Sequence, residues 1–405
     1  MPLFSSVRRL RAASILPLLA LAAACDGDPS GIDPEDRPVA LAAGGEHTCA
    51  LTGGGAAYCW GSNERGQLGD GTRAASATPV RVNAPERLVQ ISASWRQTCA
   101  VGASGSLYCW GFAAHSASSF NGIPTPSRVT ADAGWARVSA GLTHACALNG
   151  EGRAYCWGSD ESGERGDGPA AGYASAPVAV ATGERFTSIQ AAGLHSCGLA
   201  QSGTAHCWGY ARYGVLGTGA GGVVPEPVPV GNGLRFTSFD TGATFACGVS
   251  AGDVHCWGVN HAGELGRAPV SDVASRVPAA VAGLPDVETV FTSRQNSVLG
   301  FACALAASGE AFCWGQNLFG ELGVEPAEDP SGPCESVLVT LTCSTRPVRA
   351  GGGMRFHALA LGATHACGIT RDHEIRCWGR AEQGQLGPDP AAGGADPVRV
   401  ELPES

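Results

Sequence analysis

Cysteine is the residue type in this chain whose spacing points most directly to chemistry. Seventeen cysteines occur in 405 residues, and apart from Cys25 they fall into eight close pairs. Zinc sites use Cys-x2–4-Cys pairs and need four convergent ligands, whereas here each pair stands alone. We therefore expect disulfides and no bound metal. Seven of the pairs recur at regular intervals: Cys49 with Cys59, Cys99 with Cys109, Cys146 with Cys156, Cys197 with Cys207, Cys247 with Cys256, Cys303 with Cys313 and Cys367 with Cys377.

The spacing within the pairs predicts a disulfide across a β-hairpin. If Cys49 lies opposite Cys59, Gly53–Gly55 forms a three-residue loop in which a glycine takes the left-handed conformation. Cys247 and Cys256 are one residue closer, and the same geometry leaves Ala251–Gly252 as a two-residue loop. Opposed residues of antiparallel strands have Cα atoms about 4.5–5.5 Å apart, which a disulfide can span. Each bridge is worth about 2–3 kcal/mol in the chain-entropy model.

The paired cysteines belong to a larger repeat. A Cys-Trp-Gly motif begins at the second cysteine of each recurring pair, about every fifty residues, and holds seven of the nine tryptophans. Each repeat contains four short strand candidates: a Pro-Val-x-Val segment, a run such as Leu88–Ser92, and the segments around the two cysteines. The Pro-Val-x-Val type strands are predicted to start at Pro79, Pro126, Pro177, Pro227, Pro278, Pro347 and Pro397.

Four strands in a repeat of this length, without helical periodicity, are typical of a propeller blade. We predict an all-β fold, a seven-bladed β-propeller over residues 39–402 with one intra-blade hairpin disulfide per blade. Val39–Ala43 has no Pro-Val-x-Val segment before it, and Pro397–Leu402 has nothing after it. The chain ends should meet, but the sequence leaves open whether the ring closes within one blade or between two.

The repeats resemble those of the RCC1 (regulator of chromosome condensation) family. The first repeat has the Gly-x-x-His segment at Gly44–His47, the Trp-Gly at Trp60–Gly61 and the Asn-x-x-Gly-Gln-Leu-Gly loop at Asn63–Gly69. The second repeat departs from this loop at Ala113–Gly122, and the third is partial at Glu161–Gly168. The resemblance implies a propeller and suggests guanine nucleotide exchange as one function. Further versions of the loop are Tyr213–Gly217, Asn260–Gly266, Asn317–Gly323 and Gln383–Gly387.

Histidines recur two residues before the first cysteine in four repeats. A ring of His47, His144, His195 and His365 could in principle bind a metal near the axis. The resemblance instead implies that this histidine bonds neighbouring backbone at a strand start. Gln97, Phe245 and Phe301 take its place in the other repeats. Because two of these are phenylalanine, the position should serve packing.

Other patterns weigh against an enzyme and against a nucleic-acid partner. No Ser/His/Asp set or phosphate-binding loop stands out, and we expect neither catalytic residues nor a cofactor. There are 36 acidic residues against 26 basic ones, all of them arginine, so no cluster of positive charge is available for phosphates. Acidic residues recur near related loops, which suggests turn chemistry or rim charge: Glu46, Glu64, Glu164, Glu264, Glu321 and Glu382.

The N-terminus predicts export. Arg8, Arg9 and Arg11 precede an apolar stretch too short to span a bilayer, so residues 1–24 read as a signal peptide. The run ending at Cys25 resembles a bacterial lipoprotein signal, in which Cys25 would be lipidated; the alternative is an ordinary secretory signal and a freely secreted protein. Residues 25–38 then read as a flexible tether. These features predict a monomer anchored to the membrane of the bacterial cell envelope.

One insertion interrupts the repeats between Gly323 and Pro347. It contains Glu325, Glu328 and Asp329, followed by the eighth pair, Cys334 and Cys343, around an apolar run with Val337, Leu338 and Leu341. A long loop held by its own disulfide is a candidate binding loop, because a rigid loop loses less entropy on binding. The alternative is a tolerated insertion. The stretch with His115 and Phe120 in the second repeat is a weaker candidate of the same kind.

Together these patterns favour a non-enzymatic binding scaffold that recognises a protein or glycan at the cell surface through one loop-rich face. The alternatives are a guanine nucleotide exchange factor, as in the RCC1 family, and a secreted inhibitor of a hydrolase. Fold alone does not decide among them.

Overall fold

Seven antiparallel sheets form the blades of the propeller, and we number them in chain order. The computed structural model describes residues 32–116, 121–170, 172–231, 233–294, 299–325, 333–335, 340–389 and 393–403. Blade 1 contains β1 Pro38–Ala43, β2 His47–Thr52, β3 Ala57–Gly61 and β4 Ser76–Arg81, and blade 2 contains β5 Leu88–Ala93, β6 Gln97–Gly102, β7 Leu107–Gly111 and β8 Ile123–Arg128. Blade 3 contains β9 Trp135–Ala140, β10 His144–Asn149, β11 Ala154–Ser159 and β12 Tyr173–Ala179, and blade 4 contains β13 Phe186–Ala191, β14 His195–Ala200, β15 Ala205–Tyr210 and β16 Val223–Pro229. Blade 5 contains β17 Ser238–Thr241, β18 Phe245–Ser250, β19 Asp253–Asn260 and β20 Ser271–Ala280. Blade 6 contains β21 Val287–Thr292, β22 Phe301–Ala306, β23 Ala311–Gln316, β24 Pro333–Glu335 and β25 Thr340–Arg349. Blade 7 contains β26 Phe356–Leu361, β27 His365–Thr370, β28 Ile375–Gly379 and β29 Gly394–Val400.

Each blade is a meander whose first strand lines the central axis and whose fourth strand lies at the rim. Blade 6 has a fifth strand, β24, which pairs with the start of β25. Short 3-10 turns occur at Arg212–Gly214 and at Gly351–Gly353. The prediction of an all-β propeller with seven blades is confirmed. Within the residues described, no helix is long and apolar enough to cross a bilayer.

The hairpin disulfides follow from the register of the second and third strands. In blade 1, Cys49 pairs with Cys59, and the neighbouring bond from Thr52 N to Ala56 O (2.9 Å) places the cysteines at a non-hydrogen-bonded position. Cα atoms approach most closely at such positions, and the Cα–Cα distance here is 4.1 Å.

The same bridge forms in every other blade, with Cα–Cα distances of 4.0–4.2 Å. The predicted disulfide in each blade is therefore confirmed. In blades 2 to 7 in turn, the bonded residues are Cys99 with Cys109, Cys146 with Cys156, Cys197 with Cys207, Cys247 with Cys256, Cys303 with Cys313 and Cys367 with Cys377.

Loop length differs between the hairpins as the cysteine spacing predicts. In blade 1 the loop is Gly53–Gly55, and Gly55 has φ of 82°. In blade 5, Ser250 pairs directly with Asp253. Ala251 and Gly252, with φ of 54° and 87°, then form a two-residue turn in which both residues are left-handed.

The outermost strands begin earlier than the sequence predicts. β4 starts at Ser76, three residues before Pro79, and the corresponding proline lies inside the fourth strand of the other blades too. The register is irregular between Cys59↔Val80 and Gly61↔Ser76, and Pro79 lies in this interval. A proline is tolerated there because an edge strand has one side without ladder hydrogen bonds and a bulge interrupts the other. The predicted edge location holds, whereas the predicted strand starts are wrong.

The hydrophobic core lies between the blades. The seven tryptophans of the Cys-Trp-Gly motifs are fully buried, and each core cluster combines side chains of adjacent blades. Six of these indoles donate a hydrogen bond of 2.8–2.9 Å to a backbone carbonyl in the long loop of the preceding blade. The acceptors for Trp60, Trp110, Trp208, Trp257, Trp314 and Trp378 are the carbonyls of Gln385, Gln67, Glu164, Val215, Glu264 and Glu321.

The ring closes between two blades. Every blade is built from one continuous stretch of chain, because β1 belongs to blade 1 and β29 to blade 7. The Thr48 hydroxyl contacts His365 Nε2 at 2.8 Å, and the Trp60 indole bonds to Gln385. Side chains of blades 1 and 7 share a core cluster. The closing interface thus repeats the contacts that join the other blades.

The propeller has two distinct faces. The turn face carries the turns between first and second strands and the long loops between third and fourth strands. The hairpin face carries the loops between second and third strands and the connections between blades. Asp33–Arg37, within the predicted tether, lies on the hairpin face, where the amides of Gly53 and Gly54 donate to Arg37 O (2.9 Å) and Glu35 O (2.7 Å). Residues 1–31, with the predicted signal peptide and Cys25, lie outside the described residues.

Candidate functional site

The predicted binding loop emerges from the turn face of blade 6. Glu325 is exposed at its start. Cys334 lies in β24 and is disulfide-bonded to Cys343 in β25. Leu341 lies in β25 and pairs with Cys334 in the register of this small hairpin. Glu328, Asp329, Val337 and Leu338 lie outside the described residues.

A second insertion in blade 6 was missed in the sequence. The turn between first and second strands is Gly44–Glu46 in blade 1, whereas in blade 6 the chain from Ser293 to Gly300 separates β21 from β22. Leu299 packs with the buried Cys334–Cys343 bridge and with Ala262 of blade 5. The described parts of the two insertions therefore meet each other and blade 5, and we call the part of the turn face around Leu299, Cys334, Cys343 and Ala262 the blade-6 surface. The unusual length of the segment between Thr292 and Phe301 was the signal that could have revealed it.

Arg294 anchors the second insertion across three blades. Its Nη2 forms an ion pair with Asp240 Oδ1 of blade 5 (3.2 Å) and donates to Gln190 Oε1 of blade 4 (3.2 Å). Asp240 Oδ2 in turn accepts from the backbone N–H and the hydroxyl of Thr292 (2.8 and 2.9 Å). Because both charged side chains are largely buried, the pair is screened little by solvent. The network fixes the point at which the insertion leaves the sheet.

The central channel is a cavity of about 290 Å³ lined by the first strands. Each of these strands is a sheet edge, so one row of its amides faces the axis. Polar side chains of the preceding blade accept hydrogen bonds from several of these amides. These side chains therefore join neighbouring blades at the channel. The bonds run from the amides of Val138, Ala140, Ala191, Val290 and Thr292 to Gln90, Ser92, Ser139, Ser238 and Asp240, with lengths of 2.8–3.3 Å.

The recurring histidines join adjacent blades. His47 Nε2 lies 2.9 Å from the Thr98 hydroxyl of blade 2. Thr98 donates to Gln67 O (2.9 Å), so its oxygen accepts from the imidazole. The equivalent pairs are His144–Ser196 (2.8 Å), His195–Thr241 (2.7 Å) and His365–Thr48 (2.8 Å). The family resemblance implies that this histidine bonds neighbouring backbone. In the structure it instead bonds a side-chain hydroxyl of an adjacent blade.

Burial keeps these imidazoles neutral. It lowers the pKa of His47 and of His144 to about 4. It lowers the pKa of His195 and of His365 to about 3, with a smaller contribution from neighbouring positive charge. Phe245 and Phe301, at the same position, are also buried. Within the described ranges, no group of three or more His, Cys, Asp or Glu side chains is placed to hold a metal ion.

Three of the recurring glutamates are buried in the long loops. Glu164, Glu264 and Glu321 each accept a bond of 2.7–2.8 Å from the amide two residues earlier. Gln67 and Gln385 do the same in blades 1 and 7, at 2.9 Å. Burial raises the pKa of Glu264 to about 8 and that of Glu321 to about 7, and also raises the pKa of Glu164. These carboxyl groups serve the loop turn.

The divergent loop of blade 2 changes its junction with blade 3. Ala113 and Ala114 pack on the Trp157 indole in place of the usual loop. Trp157 Nε1 consequently has no hydrogen-bond partner among the described residues. His115 is partly buried there, which lowers its pKa. Phe120 lies outside the described residues.

The repeats, the blade order and the inter-blade contacts define an RCC1-type propeller. An RCC1-like domain model matches residues 19–356 and an RCC1 repeat model matches residues 356–385. The chain belongs to the RCC1-like family, and the resemblance seen in the sequence is confirmed.

The chain is similar to the ultraviolet-B receptor UVR8 of Arabidopsis thaliana, with 26% identity over 208 residues, which cover 51% of this chain and 43% of the receptor. It is 28% identical over 221 residues to the mitochondrial RCC1 domain-containing protein RUG3 of the same plant, covering 53% of this chain and 46% of that protein. The chain thus spans less than half the length of these relatives.

Solved structures share the fold at low sequence identity. Prp20p of Saccharomyces cerevisiae superposes with a TM-score of 0.73 at 18% identity, covering 91% of this chain and 88% of that one. Human WBSCR16 gives a TM-score of 0.71 at 18% identity, covering 85% and 94%. The ectodomain of the receptor kinase CR4 from Physcomitrella patens gives 0.52 at 20% identity, covering 85% and 74%. At these identities the likeness is one of fold.

Proposed function

We propose that this protein is a non-catalytic scaffold that binds a partner protein through the blade-6 surface. The observation that carries the proposal is the meeting of two insertions on one face, braced by the Cys334–Cys343 disulfide and by the Arg294–Asp240 pair. A surface that is rigid before binding loses less entropy when the complex forms. Elsewhere on the turn face, loops such as Asn63–Gly69 follow the common repeat pattern.

The buried titratable groups support a binding role over a catalytic one. The imidazoles are neutral and bonded to hydroxyls, and the buried glutamates serve loop turns. A general base needs a pKa near the working pH and access to a substrate. Glu264 and Glu321 meet the first condition, but both are fully buried.

Relatives of this fold support a protein partner. The structural work on Prp20p describes its binding to Gsp1p and histones, and a second structure shows yeast RCC1 bound to Kap60. The partner of the present chain would differ, because its propeller is stapled by disulfides. Sixteen of seventeen cysteines are disulfide-bonded, which favours an oxidising compartment.

We infer that the protein is exported and that it acts at the bacterial cell envelope, anchored as a monomer through lipid on Cys25. The leader in the sequence and the disulfides both support export. Guanine nucleotide exchange would require a cytosolic GTPase, so the proposed location disfavours it. Inhibition of a secreted hydrolase is a special case of protein binding at the same surface. Mass spectrometry of the native protein would detect lipid on Cys25 and count the disulfides together.

A loop exchange tests the proposed surface. The twenty residues between Gly323 and Ser344 are replaced by the six between Gly69 and Ser76 of blade 1, because Gly61↔Ser76 and Gly315↔Ser344 are equivalent pairs. The control replaces the six residues between Gly387 and Gly394 of blade 7 with the same segment. Each form is cross-linked in envelope extracts, and captured proteins are identified by mass spectrometry.

We expect the native protein and the blade-7 control to capture the same partner and the blade-6 exchange to lose it. Equal capture by both exchange variants would show that the partner does not bind through the blade-6 surface. Recovery of a polysaccharide in place of a protein would contradict the proposed partner class.

A further inference from the structure

A pocket of about 310 Å³ opens on the hairpin face of blade 3, opposite the blade-6 surface. It is lined by Asp132, Ala133, Trp135, Asn149, Tyr155 and Pro177. Trp135 is one of the two tryptophans outside the Cys-Trp-Gly motifs. Its ring meets Tyr155 edge to face, with ring centroids 5.2 Å apart. A cavity of this size accommodates a single small ring.

In blade 2 a glutamate occupies the equivalent space. Glu86 lies two residues before β5, and its carboxylate accepts from the Tyr108 hydroxyl (2.9 Å) and from the amide and hydroxyl of Ser104 (2.8 and 2.7 Å). Tyr108 and Tyr155 hold equivalent positions one residue before the second cysteine of their blades, Cys109 and Cys156. In blade 2 the space beside this tyrosine is therefore filled by a side chain of the protein.

Blade 3 leaves the equivalent space open. Ala133 and Gly134 stand where blade 2 has Glu86 and Arg87, and a side chain at Gly134 would meet open space. The Tyr155 hydroxyl consequently has no carboxylate at position 133 to bond. Trp135 also differs from its counterparts Leu88, Phe186 and Phe356, because it adds an N–H group. That indole is 8% exposed, and its Nε1 has no hydrogen-bond partner among the described residues.

Buried donors without acceptors are uncommon in proteins, and this one belongs to a residue that lines the pocket, so a ligand oxygen is an acceptor that would satisfy it. The lining also includes Asp132, which is exposed and can accept from a hydroxyl, and Asn149, whose Oδ1 accepts from the amides of Glu151 and Arg153 and whose NH2 group is a donor. Tyr155 and Pro177 add apolar walls. A pyranose ring matches this set, because it presents hydroxyls that both donate and accept and C–H faces that pack on apolar rings.

We propose that this pocket binds a pyranose unit of a glycan. The edge-to-face packing of Trp135 on Tyr155 leaves no space between the rings for a cation, which argues against a quaternary ammonium ligand. Asp132 would repel a carboxylate or a phosphate. The site is independent of the blade-6 surface, so the protein would hold a glycan on one face and a protein on the other.

The test measures binding of single hexoses and N-acetylhexosamines to the full mature chain by saturation-transfer NMR and calorimetry, with choline as a comparison ligand. Ala133→Glu places the blade-2 carboxylate in the pocket, and Trp135→Phe removes the indole donor. Ala103→Glu adds the same charge at an exposed hairpin position of blade 2 and serves as the control. Thermal unfolding of each variant shows whether it folds.

We expect saturable binding of at least one sugar, weakened tenfold or more by Ala133→Glu and about threefold or more by Trp135→Phe, with Ala103→Glu unchanged. Absence of saturable binding to every sugar would overturn the proposal, as would undiminished binding by folded Ala133→Glu. Binding of choline in preference to sugars would show that the pocket takes a quaternary ammonium ligand and would also overturn the proposal. None of these results bears on capture of a protein by the blade-6 surface.

Discussion

The Trp60 indole N–H donates to the Gln385 carbonyl at 2.9 Å, which joins two residues 325 positions apart and closes the ring. The same carbonyl accepts from the Thr48 hydroxyl at 3.2 Å. One loop carbonyl of blade 7 therefore receives both donors of blade 1. The arrangement recurs at Gln67, whose carbonyl accepts from Thr98 and Trp110. The propeller is thus joined by a polar contact that is repeated between blades.

Two tryptophan variants measure the value of this contact. Trp60→Phe removes the bond to Gln385 and should lower the free energy of unfolding by about 1–2 kcal/mol beyond the packing change. Trp157→Phe removes an indole N–H that has no partner among the described residues, so this hydrogen-bond cost should be absent. Guanidinium unfolding of both variants under non-reducing conditions gives the comparison. Equal losses for the two would show that the bond contributes nothing.

Removing one hairpin staple tests the contribution of the disulfides. The double variant Cys247→Ser with Cys256→Ser opens the bridge in the two-residue hairpin of blade 5 and should lose about 2–3 kcal/mol. Because the other blades keep their bridges, the variant should still fold. Peptide mapping of the native protein provides the control and should find only local pairs, such as Cys49 with Cys59. A bridge between distant blades would contradict the proposed pairing.

The sequence predicted the blades well because their information is local. The spacing of Cys49 and Cys59 defines the hairpin register, and the alternation of strand residues places Trp60 in the interface between blades. The closure between blades 1 and 7 was left open, because repeats of equal composition do not mark where a blade begins. The outer strands start before Pro79 and its equivalents because a bulge adds residues that no periodicity reveals.

The blade-6 surface was predicted only in part. The cysteine pair identified the longer insertion, whereas Leu299 reaches the Cys334–Cys343 bridge only through the tertiary fold. Arg294 and Asp240 are 54 positions apart and meet because neighbouring blades place their first strands side by side at the axis. Such contacts depend on the angle between sheets, and a single sequence carries no pattern for them.

The buried Glu264 predicts a loss of stability as the pH rises from about 4.5 to 8. Its pKa is about 8 in the folded protein against an ordinary value of 4.5, so folding takes up a proton between these values. The stability that this proton provides is complete below about pH 4.5 and falls as the pH rises towards 8. Glu264→Gln stays uncharged at every pH, as Gln67 and Gln385 do. The variant should therefore gain on the order of a few kcal/mol over the native protein at pH 8.

Chemical unfolding of Glu264→Gln and of the native protein at pH 5 and pH 8 measures how strongly the free energy of unfolding of each depends on pH. The reciprocal variant Gln67→Glu places a carboxyl in the same position of blade 1 and should lose stability at pH 8. A parallel pH dependence for Glu264→Gln and the native protein would show that Glu264 does not hold its proton when folded.

The four inter-blade histidines predict a loss of stability at acid pH. Their folded pKa values of about 3–4 lie below the ordinary value of 6.5, so the unfolded chain binds protons that the folded chain excludes. Their contribution is complete above about pH 6.5 and is lost as the pH falls towards 4. His144→Gln copies blade 2, where Gln97 holds this position and donates to the carbonyls of Gly141 and His144 at 3.3 Å.

His144→Gln should therefore lose less stability than the native protein between pH 7 and pH 4, even if it is less stable at pH 7. Thermal unfolding at both values, with the disulfides intact, measures the difference. His255→Gln is the matched control, because this histidine is half-buried and has a local bond, through Nδ1 to Asp253 O at 3.3 Å. Since one group shifted by about two pH units is worth on the order of 3 kcal/mol, the effect is large enough to separate from the control. An unchanged acid sensitivity would mean that His144 takes up its proton in the folded propeller as readily as in the unfolded chain.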